Sequence, residues 1–143
     1  MTCTRRGIGS FGMALGGLSL LPVAAFAAGG VSKSPPGPPY KAASKLFALP
    51  NFLPGLGTLY VDPKTLPYGP WLGYDHSGRL VNTLYMVPLK NLDAHKNIAG
   101  LAAPGGKVVR VDMYFNPGHP GLLEPHYHII LWHEENGPES VAK

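Results

Sequence analysis

The chain has 143 residues, a formal net charge of +4 and one cysteine. That length holds one domain with a real core and is too short for two. The lysines are scattered without a run or an aromatic-interleaved patch, so nucleic acid is not expected as a partner.

Thr4-Arg5-Arg6-Gly7-Ile8 supplies a positive start, Ile8 to Phe26 is uncharged and apolar, and Ala25-Phe26-Ala27 is a small-x-small cleavage site. Residues 1–27 are therefore expected to be a secretory signal peptide, which makes the mature protein periplasmic or secreted. A transmembrane anchor needs about 20 strongly apolar residues, whereas this stretch contains Gly9, Gly12, Gly16, Gly17 and Pro22. No membrane association is expected after cleavage. The adjacent arginines also suit the twin-arginine route, which exports folded proteins. Their removal lowers the formal charge from +4 to +2. Cys3 leaves with the same segment, so the mature chain has no thiol for a disulfide, a Cys-based zinc site or a blue-copper centre.

Residues 28–54 begin as Ala-Gly-Gly-Val-Ser-Lys-Ser-Pro-Pro-Gly-Pro-Pro and are expected to form a flexible leader. Tyr40 to Phe52 within it is expected to be weakly helical, since Pro50 and Pro54 interrupt it. From Gly55 the pattern is β, and residues 55–143 are expected to form one β-rich domain. Gly57 to Val61 is rich in strand formers. Trp71 to Tyr74 and Arg79 to Val87 flank Asp75-His-Ser-Gly78 as a hairpin. Pro88 to Asn97 reads as a short helix, and Lys107 to Phe115 as a strand with Val109, Val111, Met113 and Phe115 on one face. Pro125 to Glu134 is the last strand, with Ile129 and Leu131 expected to be buried on one face and Ile130 and Trp132 on the other. The fold class that follows is mainly β, a small antiparallel β-sandwich or open barrel with one short helix.

Four of the six histidines, His119, His126, His128 and His133, lie within fifteen residues. Side chains alternate across a strand, so His126 and His128 share a face and form the natural chelating pair, while His133 points away. His119, in a loop stiffened by Pro117 and Pro120, can supply a third nitrogen. Glu124 has the parity of His126 and is the candidate oxygen ligand. His76 joins only if the topology brings its turn close, His95 and His133 read as ordinary surface or packing residues, and Asp112 can orient a histidine as a carboxylate acceptor. A set of His119, His126 and His128 with an open fourth position suits zinc, copper or iron. The alternative is a metal-free network in which the histidines bridge hydroxyls and backbone groups.

Gly118-His-Pro-Gly121 followed by Pro125-His-Tyr127 resembles the signature of a group of secreted bacterial domains of unknown function, with looser similarity at Tyr85 to Pro88. The resemblance implies roles for His119 and His126. The next histidine of that signature would fall near Ile129 or Ile130, where this chain has none and offers His128 instead. Pro120-Gly121 with His126-x-His128 also resembles the first cupin motif, which would imply metal-dependent oxygenase or isomerase chemistry. The glycine-to-histidine spacing is one short, His133 stands near the motif's glutamate, and fifteen residues after His128 are too few for the second cupin motif.

Two function classes follow: a secreted protein that binds copper, zinc or iron, and a metal-free structural or interaction domain, with a degenerate cupin-type metalloenzyme as a further alternative. No Gly-x-Ser-x-Gly elbow and no phosphate loop is present, and no catalytic residue is singled out.

Overall fold

The computed structural model describes residues 30–143; the expected signal peptide lies outside them. Six strands form one antiparallel sheet: β1 (Lys41–Ala42), β2 (Thr58–Val61), β3 (Trp71–Tyr74), β4 (Leu80–Pro88), β5 (Arg110–Asn116) and β6 (His126–Trp132). Their spatial order is β1-β2-β3-β4-β6-β5, so the sheet is open and β5 is an edge. The helices are short: α1 (Ala43–Leu46), α2 (Leu89–Asp93) and α3 (Gly137–Ser140), with a 3-10 turn over Pro63–Thr65. The expected mainly β architecture is thus what is found. Among the described residues no helix is long and apolar enough to cross a membrane.

β4 is the central strand, and all nine of its residues are buried. The hairpin from β3 turns where the Asp75 carboxylate accepts the backbone N–H groups of Ser77 and Arg79, a local bond that Asp makes in turns. Pro88 ends the ladder, having no N–H to give it, and leads directly into α2. One face of the sheet, here called inner, carries Leu59, Val61, Trp71, Leu84, Met86, Ile130 and Trp132 into the main core.

The segment expected as a flexible leader is packed instead. Leu46, Phe47, Leu49, Phe52 and Leu53 lie against that core, while Val31 and Tyr40 pack on Leu72, Tyr74 and Leu80 on the other face. The Tyr74 hydroxyl donates to the Val31 carbonyl at 2.6 Å, and Leu80 N–H to Ser32 O at 3.1 Å. Prolines lower the entropy lost on ordering, so a Pro-rich segment with this many apolar side chains is held by burial without regular structure.

The outer face is covered unevenly. The connection from α2 to β5 crosses β4, where the Tyr85 hydroxyl reaches the Ala102 carbonyl, but among the described residues the outer face of β5 and β6 stays largely uncovered. Val111, Met113 and Phe115 are more than half exposed. Ile129 and Leu131 are consequently only half-buried, which corrects the expectation that β6 is buried on both faces: parity set the faces, and the missing cover leaves one of them open.

Candidate metal centre

The register between β4, β6 and β5 places the histidines. His126 pairs with Pro88 and Asn116, and His128 with Met86 and Tyr114. Both imidazoles therefore enter from the inner face beside Ile130 and Trp132. His126 is fully buried and His128 nearly so.

His119 reaches them from the connection between β5 and β6. His119 and Leu122 exchange backbone hydrogen bonds at 3.0 Å in both directions, closing a two-residue turn over Pro120-Gly121. Gly121 has φ +100°, and Pro followed by a positive-φ residue is the sequence of a type II turn. Leu122 then inserts its side chain into the main core and anchors the loop. Gly118 has φ +134°, and a Cβ there would stand 2.4 Å from the Leu123 carbonyl oxygen. The Asn116 side chain accepts the Gly118 N–H at 2.9 Å and fixes the exit from β5. Backbone strain admissible only to glycine thus aims the His119 ring at the strand.

The three Nε2 atoms converge. His126 and His128 are 2.9 Å apart, His119 and His126 3.1 Å, and His119 and His128 3.3 Å. Three nitrogens on one ion at 2.0–2.1 Å stand about 2.8 to 3.4 Å apart, the shorter end for octahedral and the longer for tetrahedral geometry. The tautomers agree with that use. His126 Nδ1 lies 2.7 Å from the Glu124 carbonyl and His119 Nδ1 2.8 Å from the Pro120 carbonyl. A carbonyl oxygen only accepts, so each Nδ1 is the donor and each Nε2 presents a lone pair to the centre. Burial pushes the His128 imidazole down to about 4 and lowers that of His126 as well, with the neighbouring imidazoles adding to the effect on both. The His128 nitrogen therefore stays neutral and metal-competent well below the ordinary imidazole range, and His126 shifts in the same direction.

The structure brings together His119, His126 and His128 and leaves the other candidates elsewhere. Glu124 contributes its backbone carbonyl, whereas its carboxylate pairs with Lys90 on α2 at 2.7 Å. Glu124 precedes β6, which begins only at His126, so strand alternation does not govern its side chain. Asp112 accepts from the Trp132 indole at 2.8 Å and from Arg110, so it orients no histidine. His133 sits on the outer face between the Thr83 hydroxyl, 2.8 Å away, and the Lys107 carbonyl. His76 stacks on Phe52 and bonds the Lys143 carbonyl oxygen, and His95 is exposed.

Sequence reasoning missed the wall of the site. His119 and His128 border a cavity of about 170 Å³ whose other walls are Leu49, Leu53, Leu56, Leu59, Met86 and Asn116. Met86 is readable by its parity with Leu84 on β4, and Leu59 lies in an expected strand, but Leu49 and Leu53 come from the segment expected to be a flexible leader. On its other side His128 borders a wider groove with Tyr114, Ile130 and Trp132.

No family model matches the chain, and no curated protein is similar to it. It is similar to a crystal structure of the hypothetical protein TTHB210 from Thermus thermophilus, with 42% identity and a TM-score of 0.57 over 66% of this chain and 89% of that one.

Proposed function

The chain belongs to the same family as that Thermus thermophilus protein, and we propose that it is a secreted or periplasmic protein that binds one transition-metal ion, zinc, copper or iron, through His119, His126 and His128. The observation that carries this reading is the convergence of three Nε2 lone pairs, two of them fixed by Nδ1–H bonds to backbone carbonyls. Without a cation such lone pairs repel, and the single proton that His128 can hold on Nε2 cannot satisfy all three. Neutral imidazole and the absence of thiolate suit borderline divalent ions. Export is supported by Arg5-Arg6, the apolar stretch to Phe26 and Ala25-Phe26-Ala27.

Elemental analysis of the protein recovered from the exported fraction, followed by calorimetric titration of the stripped protein with Zn²⁺ and Cu²⁺, tests the reading. One ion per chain is expected. Absence of stoichiometric metal, with no heat and no thermal shift on adding either ion, would leave the triad as a polar network.

A further inference from the structure

We infer that the open coordination position of this centre takes a small organic monoanion with an apolar tail, such as a short-chain carboxylate, whose head binds the ion and whose tail fills the leucine-lined cavity. The inference rests on the metal reading above and adds what the ion would hold.

Charge supplies the first part of the argument. Three neutral imidazoles leave a divalent ion its full charge. The nearest acidic groups by sequence and register, Glu124 and Asp112, are engaged by Lys90 and by Arg110 with Trp132. The ion would thus sit beside buried and half-buried apolar side chains without a protein anion, where uncompensated charge is costly and an exogenous anion binds strongly.

Shape supplies the second. The cavity holds about 170 Å³, well under the roughly 300–1,000 Å³ of pockets for drug-sized ligands. At about 30 Å³ per water-sized group it admits five or six such groups. Its walls are four leucines and one methionine, with Asn116 the one polar side chain besides the two histidines. An inorganic anion would use the charge and leave this apolar wall unused, while an uncharged hydrocarbon would use the wall alone.

The test uses the full mature protein loaded with Co²⁺, whose visible bands report the coordination sphere. Acetate, propionate, butanoate, pentanoate, hexanoate and octanoate are titrated in turn, with 1-pentanol as the uncharged control. Band shifts are expected with affinity rising about fourfold per methylene, the equivalent of about 0.8 kcal/mol, up to pentanoate or hexanoate and then falling. Leu53→Ala should lengthen the preferred chain while leaving the bands of the ligand-free Co²⁺ protein in place. Acetate binding as tightly as pentanoate would overturn the role of the cavity, and pentanol matching pentanoate would overturn the role of charge. Cobalt bands that ignore every carboxylate overturn this inference alone, whereas failure to form the bands overturns the metal reading and this inference with it.

Discussion

His126 Nε2 stands 2.9 Å from His128 Nε2, two residues along one face of β6, with the His119 ring meeting both from the turn above. Because the three nitrogens act together, losing any one should be severe. His119→Ala, His126→Ala and His128→Ala are each expected to weaken Zn²⁺ or Cu²⁺ binding by more than about 100-fold, beyond the effect usual for an outer-shell partner. His133→Ala, on the opposite face, should change it by less than about twofold. Calorimetric titration of the four proteins at pH 7.5 checks this, and equal losses in all four would rule out the geometry.

Acid should destabilise the metal-free protein. In the unfolded chain histidines titrate near 6.5, while in the folded protein burial holds His128 down to about 4, and His126 shifts in the same direction. Between those values the unfolded state binds more protons, so stability is fully present above about pH 6.5 and falls as pH drops toward 4. The His128 contribution alone is about 3 kcal/mol at most. Urea midpoints of the stripped protein at pH 7, 6, 5 and 4 should decline through this window, and His128→Ala should flatten part of the decline.

Gly118 tests the turn that aims His119. Alanine there must leave φ +134° or meet the Leu123 carbonyl, so Gly118→Ala should cost about 1 to 3 kcal/mol in stability and weaken metal binding although no ligand is removed. Unchanged affinity in a destabilised variant would show that the loop reorders around the ion.

The two faces of β6 should respond unequally. Ile130 is 3% exposed in the main core, and Ile130→Ala is expected to cost about 2 to 5 kcal/mol. Leu131→Ala, on the half-open face, should cost less than half as much. Chemical denaturation of the pair at neutral pH decides it; equal losses would mean that something covers the outer face in solution.

Processing after Ala27 predicts an exported chain that begins at or near Ala28. Mass spectrometry of the exported fraction checks it, with an intact Met1 species as the contrary result.

Much of the centre was legible in the sequence because it depends on short-range rules. Period-two alternation put His126 and His128 on one face, and Gly-His-Pro-Gly announced a turn able to return His119 to the sheet. What escaped depends on contacts distant in the sequence. Glu124 shares a parity with His126, but Lys90 of α2 captures its carboxylate. Asp112 faces Trp132 because of a strand register that no local pattern specifies. Leu49, Leu53 and Leu56 are obscured by the prolines around them, since periodicity is a poor guide where the backbone is irregular yet its side chains pack on the core.

The candidate ligands His119, His126 and His128, the carbonyls that orient two of them and the glycine turn all fall between Asn116 and His128, whereas four leucines of the cavity wall come from Leu49 to Leu59. Two separate stretches of sequence thus govern two separate properties. Substitutions in the earlier stretch can remodel the cavity beside the histidines and leave the thirteen-residue unit that sets the triad alone, so the two can change independently.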